Sequence, residues 1–486
     1  MWGRIRPGLG AACLGLSLAL LTVAAPAVAA DAGLDPTFGE GGIAMTPLET
    51  AGRGTVELGV GPDGSAVVGV AWGYLVRFGP DGALDPAFGE GGKLSLAPDP
   101  IAEGVAERSL RPSNVAVDGA GRLLVFSAQS DATHTYPTPR TSENQTAVES
   151  EAVVMRFDRE GKLDPSFGGG RGFVRSSFGM QSALHPGFPS TDATGGGVDS
   201  KNRPVFVVGG AAIELGCHAG AVTYEPLGVV RLTEAGEIDG SFGSDGVAPI
   251  SGSTESPGLG IDSAGRPAIG LGPYLHPELN CRVGTALARL RANGEPLRSF
   301  GSRGTTSLGR NLDFDFVTPS GAMVLSHLSG RTLQVVRIGL SGRPEDGFDE
   351  HGTAKVRLPA RAGAHIRPVG VDARGRIVLA GVIGANGAYP VLSSKIARPS
   401  TLAVGRLLPD GRLDPSVGTR GWILDRVPGT EEVGVSTASL DPQGRLLLAA
   451  TVTAPKQQGN GGYLLARFLL GAAQAVDAPR PSAPHR

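Results

Sequence analysis

The chain has 486 residues, with 44 Lys and Arg against 46 Asp and Glu, which gives a formal net charge of −2 at pH 7. Charge this balanced argues against nucleic acid or an anionic membrane surface as a partner. Glycine (76) and proline (37) supply close to a quarter of the residues. The glycines fall at fixed offsets between alternating apolar runs, which indicates the turns of an all-β protein rather than disorder.

The first thirty residues have the pattern of a secretory signal peptide. Arg4 and Arg6 precede an apolar run from Leu9 to Val23, and Ala27-Val28-Ala29 supplies the small-x-small cleavage site. We therefore expect residues 1–30 to be removed. No later stretch is long enough to span a membrane, so we expect a soluble protein in the cell envelope or outside the cell.

A turn of the form Leu-Asp-Pro-Ser-Phe-Gly recurs seven times along the remaining chain. Its clearest copies are Leu34 to Gly39, Leu84 to Gly89 and Leu163 to Gly168. A unit that recurs at this spacing is typical of a solenoid, a propeller or an array.

Three further elements complete each unit. Two short apolar runs surround an Asp/Gly turn, as in Val115 to Phe126; a third run carries an Arg, as in Val153 to Phe157; and a fourth run follows the Leu-Asp-Pro turn, as in Gly172 to Arg175. Four antiparallel strands repeated seven times predict an all-β, seven-bladed β-propeller over residues 31–470. Residues 471–486 are rich in Pro and Ala, and we expect them to be disordered.

The first copy of the turn is followed by a strand at about Ile43 to Pro47 that has no other strands of its own unit. The last unit, which ends near Phe468, lacks a fourth strand. We therefore expect the N-terminal strand to pair with the strand at Arg467 and to close the ring, which removes exposed sheet edges.

The residues present in every unit are interpreted as scaffold. The motif Phe is expected to pack as a wedge between blades, and the Gly four residues later to need a positive backbone angle. The repeated Arg is expected to pair with the motif Asp, as Arg156 with Asp164. In the unit at Leu297 we align Arg298 with the motif Asp.

The long connections fall between the second and third strands and between the fourth and first strands, which lie on the same face of an up-and-down blade. We call this the loop-rich face. Its main insertions are Ser127 to Glu151, Ser176 to Gly195, Gly210 to Pro226 and Val382 to Ser400. Binding sites concentrate in long loops on rigid scaffolds, so this face is the functional candidate. Neutral drift of insertions is the alternative.

Several histidines lie in or beside these loops. They are His134, His185, His218, His276, His327 and His365. None shows the spacing of a metal site, so neither a metal nor another cofactor is predicted.

The mouth of the channel is predicted from the residues four positions before the hairpin-turn Asp of each unit. They are Glu57, Asn114, Gly195, Gly258, Phe314, Pro368 and Thr437. One acid and no His is a poor basis for acid/base catalysis, although Glu57 and Asn114 remain candidates for ligand contact.

Cys217 and Cys281 occur in matching contexts, Glu-Leu-Gly-Cys-His and Glu-Leu-Asn-Cys-Arg, in the second-to-third loops of neighbouring units. An inter-blade disulfide is expected in an oxidising compartment. Two free buried thiols are the alternative.

The Leu-Asp-Pro-Ser-Phe-Gly-x-x-Gly turn after an Arg-Phe strand resembles the bacterial delta-60 repeat family, most closely from Arg77 to Gly92 and from Arg156 to Gly172. The order of hairpin and Arg-Phe strand also resembles NHL-type propeller repeats. The units at Leu297 and Pro344 depart from the pattern. The resemblance implies a propeller of secreted or surface proteins and supplies no catalytic residues.

These observations predict an exported, monomeric binding or scaffold protein that recognises a ligand, a glycan or an envelope protein through its loop-rich face. The alternative is a secreted propeller enzyme, a lyase or hydrolase, with His185 or His365 as its acid or base. A passive structural domain of the envelope is a third hypothesis.

Overall fold

The computed structural model describes fourteen segments of the chain: residues 32–47, 56–70, 73–96, 108–137, 144–179, 192–209, 227–250, 257–275, 282–309, 312–359, 365–384, 400–427, 432–453 and 461–471. Within them the chain forms 29 β-strands. No helix in these segments could cross a membrane. Residues 1–30, the tail beyond residue 471, Cys217 and Cys281 lie outside the described residues, so the signal peptide, the disordered tail and the disulfide remain predictions.

The strands form seven sheets, which we number as blades. Before blade 1 come β1 (Gly33–Leu34) and β2 (Ile43–Pro47). Blades 1 to 3 contain β3 (Val56–Val60), β4 (Ala66–Val70), β5 (Tyr74–Phe78) and β6 (Lys93–Ser95); β7 (Arg108–Val117), β8 (Leu123–Pro137), β9 (Asn144–Phe157) and β10 (Phe173–Ser176); and β11 (Asp192–Val198), β12 (Pro204–Gly209), β13 (Leu227–Arg231) and β14 (Val247–Ile250).

Blades 4 to 7 continue in the same order. They contain β15 (Gly258–Ile261), β16 (Pro267–Leu275), β17 (Arg282–Arg289) and β18 (Thr305–Ser307); β19 (Asp313–Val317), β20 (Met323–Ser329), β21 (Thr332–Ile338) and β22 (Thr353–Arg357); β23 (His365–Val371), β24 (Ile377–Ile383), β25 (Thr401–Leu407) and β26 (Trp422–Arg426); and β27 (Glu432–Leu440), β28 (Leu446–Thr453) and β29 (Gly461–Leu469).

Consecutive strands within each blade pair antiparallel. The first strand of each blade contacts the first strand of the next, and β27 of blade 7 contacts β3 of blade 1. The first strands therefore surround a central axis, and the predicted seven-bladed propeller is confirmed.

The predicted ring closure is also confirmed. β2 pairs with β29 from Ile43 opposite Ala466 to Pro47 opposite Gly462. β1 continues along the same strand, with Leu34 opposite Phe468. The N-terminal segment thus supplies the fourth strand of blade 7 and covers the outer edge of β29.

The core is divided into seven clusters, each lying between two neighbouring blades. Phe167 of blade 2, for example, packs with Phe206 and Val208 of blade 3. One motif residue lies in each cluster, with an exposure of at most 1%: Phe38, Phe88, Phe167, Phe242, Phe300, Phe348 and Val417. These residues are the predicted wedges. At Gly42 the backbone has a φ of +97°, and a Cβ there would lie 2.7 Å from the Cβ of Leu34, so this position requires glycine.

The motif Arg fastens one blade to the next. Arg156 Nε donates to Asp164 Oδ2 at 2.8 Å, its Nη1 donates to the carbonyl of Glu234 in blade 3, and its guanidinium lies 4.6 Å from the centre of the Phe167 ring. Equivalent Arg–acid pairs recur as Arg77–Asp85, Arg231–Asp239, Arg337–Glu345, Arg406–Asp414 and Arg467–Asp35. The predicted pairing is therefore confirmed.

Blade 4 departs from this arrangement, and our alignment of Arg298 with the motif Asp is wrong by one residue. Leu297 takes the place of the Asp, because its N–H donates to the carbonyl of Arg289 as the N–H of Asp164 does to that of Arg156. The buried Arg289 instead pairs with Asp262, the hairpin-turn aspartate of its own blade.

The predicted insertion from Ser127 to Glu151 is largely an extended hairpin. β8 and β9 remain paired out to Pro137 opposite Asn144. The sequence predicts a long connection between the second and third strands here, and the structure forms most of it as a continuation of those two strands. Blade 2 therefore carries an arm at the loop-rich face.

Candidate functional site

The two faces of the ring differ in their connections. The hairpin turns between first and second strands and between third and fourth strands, such as Asp118–Gly121 and Asp158–Gly161, lie on one face, which we call the turn face. The first strands begin on the opposite, loop-rich face. At Asp118 the turn is held by the carboxylate, which accepts the N–H groups of Ala120 and Arg122 and pairs with the Arg122 guanidinium.

The predicted histidines are only partly placed. His365 is the first residue of β23 and is half-buried at the loop-rich face. His327 lies on β20 and is also half-buried. His134 lies in the β8–β9 arm, with its side chain outside the described residues. His185, His218 and His276 lie outside the described residues, so their roles remain predictions.

Most of the predicted channel positions serve packing between first strands. The Asn114 amide donates to the carbonyl of Gly196 in blade 3 at 2.9 Å. Phe314 fills the space left by two glycines of blade 4, since a Cβ on Gly258 or Gly270 would lie within 2.4 Å of Phe314 atoms. Gly195 and Pro368 are buried. Asn114 is thus engaged in joining blades.

β-bulges change which residues face the axis. Five first strands shift register near their centre, at Pro112/Asn114, Ala193/Gly195, Phe314/Phe316, Pro368/Gly370 and Val435/Thr437. Each bulge inserts one extra residue and re-aims its neighbours. Counting four positions back from the hairpin-turn residue therefore identifies Phe314 and Pro368 and passes over the adjacent Asp315 and Arg367.

Asp315, Arg367 and Glu57 form a group that we call the mouth cluster. Arg367 of blade 6 donates through Nε to Asp315 Oδ1 of blade 5 at 3.1 Å, and its Nη2 lies 3.5 Å from the carbonyl oxygen of Phe314. Glu57 and Arg367 lie in the first halves of β3 and β23, and Asp315 is the central residue of β19, so the group lies toward the end of the central channel that opens on the loop-rich face. No hydrogen bond or ion pair among the described residues joins Glu57 to the other two; it is grouped with them because, although burial raises the pKa of Glu57, the charge of Arg367 lowers it.

The members of the cluster differ sharply in exposure. The Asp315 side chain is 0% exposed, whereas the Arg367 side chain is 55% exposed. Asp315 Oδ2 is buried and has no hydrogen bond of normal geometry among the described residues; the nearby Ser326 hydroxyl makes only a weak interaction, which opposes the rise that burial causes in the pKa of Asp315. Arg367 therefore projects from a buried anchor into the channel mouth.

Both carboxyl groups titrate near neutrality. Burial raises the pKa of Glu57 to about 7, against the opposing charge of Arg367. Burial likewise raises the pKa of Asp315 to about 7, again against Arg367, while Asp313 adds repulsion. Carboxyl groups perturbed in this way by burial in a cleft are typical of functional sites.

Metal binding finds no support in the described segments, which contain no group of three or more His, Cys, Asp or Glu side chains arranged to hold an ion. The mouth cluster can offer hydrogen bonds, one positive charge and two protons that exchange near pH 7.

A cavity of about 450 Å³ lies on the turn face at the seam between blades 6 and 7. It forms where blade 7 lacks the turn between third and fourth strands, because those strands come from opposite ends of the chain. Its main charges are paired, Arg376 with Asp372 and Arg445 with Asp441. We therefore attribute this cavity to ring closure rather than to a ligand.

No family model and no curated protein matches the sequence. Among solved structures, the chain is similar to the PQQ-bound aldose sugar dehydrogenase of Streptomyces coelicolor, with 12% identity, a TM-score of 0.38, and coverage of 74% of this chain and 97% of that one. It is also similar to regucalcin, a calcium-binding protein of Agrobacterium tumefaciens (10% identity, TM-score 0.31, 73% and 86% covered), and to the intramolecular trans-sialidase of Ruminococcus gnavus (10%, 0.36, 88% and 98%). Similarities this distant carry no inference about function.

Proposed function

We propose that this propeller is an exported binding protein that recognises its ligand at the loop-rich face, at the channel mouth. The observation that carries this proposal is the mouth cluster. A buried carboxyl with an unpartnered oxygen costs free energy of folding unless something compensates for it. The contact with Arg367 joins blades 5 and 6, but it uses only one oxygen of the Asp315 carboxyl and leaves much of the guanidinium open to solvent.

The cluster also breaks the repeat. At the four other bulges the inserted residues are Ser113, Thr194, Val369 and Ser436, and none is acidic. The motif arginines recur in every blade, whereas Asp315 and Arg367 have no counterparts. The Asn114–Gly196 contact also joins blades without repeating, so the feature that favours recognition is that the Arg367 side chain stays 55% exposed.

Export and the delta-60 relationship remain part of the same proposal. They are supported by the Arg4/Arg6 and Ala27–Ala29 pattern and by the repeated turn, both of which are features of the sequence. Expression with residues 1–30 intact, followed by N-terminal sequencing of the exported protein, tests export. We expect a mature chain that begins directly after Ala29 or Ala30.

The binding proposal is tested by screening the mature protein against glycan, peptide and envelope-fraction arrays. Each hit is then repeated with R367Q at the mouth and with R374Q on the turn face, where Arg374 is exposed. We expect hits to weaken with R367Q and to persist with R374Q. Hits that respond only to R374Q, or screens that stay blank, would overturn the proposal.

A secreted enzyme is the second candidate, because two carboxyls with pKa values near 7 suit general acid/base catalysis. Glu57 and Asp315 join His185 and His365 as candidates for its acid and base. Turnover in hydrolase and lyase assays that disappears in both E57Q and D315N would favour this function over binding alone.

A further inference from the structure

We infer that the mouth cluster receives a carboxylate group of a small ligand and holds it through the guanidinium of Arg367. This inference rests on the proposed binding function and specifies its chemistry.

The guanidinium is oriented but not saturated. Arginine has five N–H donors in a planar fork. One of them bonds Asp315 at 3.1 Å and another approaches the Phe314 carbonyl. The other N–H groups belong to a side chain that is 55% exposed at the mouth. An arginine anchored in this way presents two parallel donors, which match the two oxygens of a carboxylate.

The charge around Arg367 favours an anion at moderately acidic pH. Burial keeps Glu57 and Asp315 largely protonated below pH 7, which leaves the guanidinium as the main charge of the cluster. A protonated Glu57 also adds an O–H donor. The Arg367 guanidinium and the neutral O–H of Glu57 together suit a ligand group with a single negative charge and two oxygens. Above pH 7 both carboxyls ionise and repel such a group, so affinity should fall.

Other titratable and charged groups lie on the strands that carry these two carboxyls or pack against them. Asp313 lies on the strand of Asp315, and the strands packed against it carry His327 on β20 and His365 and Arg367 on β23. Against the strand of Glu57, β7 carries Arg108 and Arg111 and β27 carries Glu432, and the side chains of these three lie outside the described residues.

Isothermal titration of the mature protein tests this inference with two matched pairs of compounds. Glucuronate is compared with glucuronamide, and N-acetyl-alanyl-alanine with its C-terminal amide, at pH 6 and pH 8.5. Within each pair only the carboxylate changes, and the two pairs distinguish a sugar acid from a peptide terminus as the source of the group.

We expect at least one carboxylate to bind at pH 6 at least about tenfold more tightly than its amide, which is the range of one charge-assisted contact. R367Q should lose this preference. R367K, which keeps the charge but lacks the fork, should retain only part of it, and R374Q should bind like the wild type. Binding should weaken at pH 8.5, and less so in E57Q, where position 57 stays neutral.

Equal binding of acid and amide, or an unchanged preference in R367Q, would overturn the inference. A circular dichroism spectrum of R367Q that matches the wild type ensures that its loss reflects the site and not the fold. If array hits without a carboxylate still require Arg367, the proposed binding function stands and the carboxylate assignment fails. If no array hit depends on Arg367, the binding function itself fails.

Discussion

Arg467 Nε donates to Asp35 Oδ2 at 2.7 Å, although 432 positions separate the two residues in the chain. The same guanidinium donates to the carbonyl of Pro80 in blade 1 and lies 4.5 Å from the centre of the Phe38 ring. One side chain of blade 7 thus contacts both the N-terminal segment and the next blade. The ring is therefore closed by the same three contacts of the motif Arg, to an acid, to a carbonyl of the next blade and to the motif Phe, that link Arg156 to blade 3.

Removal of Asp35 should weaken the closed ring. D35A leaves a buried guanidinium unpaired, and we expect it to lower the free energy of unfolding by about 3 kcal/mol or more. The measurement is the midpoint of denaturant unfolding. D85A is the matched control, because Asp85 lies 3.4 Å from Arg77 and its side chain is 26% exposed, and its effect should be clearly smaller. Equal losses of stability in D35A and D85A would show that the buried pair at the ring closure matters no more than the partly exposed pair.

The wedge residues should differ in importance by size. Phe167 and Val417 occupy the same motif position, and both are 0% exposed. F167A should destabilise the protein by about 3–5 kcal/mol, and V417A by about 2 kcal/mol, because a smaller cavity is left. Thermal unfolding of both variants checks this order. A larger loss in V417A would mean that the junction between blades 6 and 7 is packed differently.

Stability should fall in acid because of the joint aspartates. Although burial alone would raise it, hydrogen bonds from Thr37 and the charge of Arg467 hold the pKa of Asp35 below its usual value, and Asp164, Asp239 and Asp414 are held low in the same way. An acid whose pKa is lowered in the folded state stabilises it above the unfolded pKa of about 4, and this contribution is lost as pH falls through the folded pKa.

We therefore expect the free energy of unfolding to drop between about pH 4 and pH 2. D164N should already be destabilised at pH 6 and should show a shallower drop, so that the two proteins approach each other at pH 2. Parallel curves for D164N and wild type would argue against this origin of the acid sensitivity.

The carboxyls of Glu57 and Asp315 should have the opposite effect on the pH dependence of stability, because folding raises their pKa values. An acid whose pKa is raised by folding costs stability as pH rises from its unfolded value near 4 to its folded value of about 7, and the cost is constant above that. E57Q removes this cost, and we expect it to stabilise the protein at pH 8 by roughly 1–2 kcal/mol relative to pH 4. Unfolding at both pH values measures the difference. L58A, which alters the neighbouring apolar position, should show no such dependence on pH.

Blade 4 offers a test of how a missing motif acid is replaced. Asp262 serves both Arg266 and the fully buried Arg289, whereas Asp199 pairs with Arg203 while Arg231 keeps Asp239. D262A should therefore destabilise the protein by about 3 kcal/mol or more, and D199A by less. Denaturant midpoints of the two variants measure these losses of stability. Similar losses in D262A and D199A would show that Arg289 finds another partner.

The repeat explains why so much of the fold could be predicted from the sequence. A turn such as Leu163 to Gly168 encodes local backbone geometry and one inter-blade pair, and both repeat with the unit. The closing strand at Ile43 followed from counting strands. The bulge at Asp315 could not be counted in this way, because an extra residue in a strand leaves no mark in an alternating pattern as short as five residues. The pairing of Asp315 with Arg367 also joins two units, so no single unit contains its signal.

A crystal structure of the mature protein at pH 6, soaked with whichever of glucuronate and N-acetyl-alanyl-alanine binds more tightly, tests the central claim most directly. We predict a carboxylate bound to the Nη groups of Arg367 at the channel mouth, beside Glu57, with the Arg367–Asp315 contact retained. The same compound bound in the seam cavity near Arg374 and Arg445, with none at the channel mouth, would contradict the assignment of recognition to the loop-rich face.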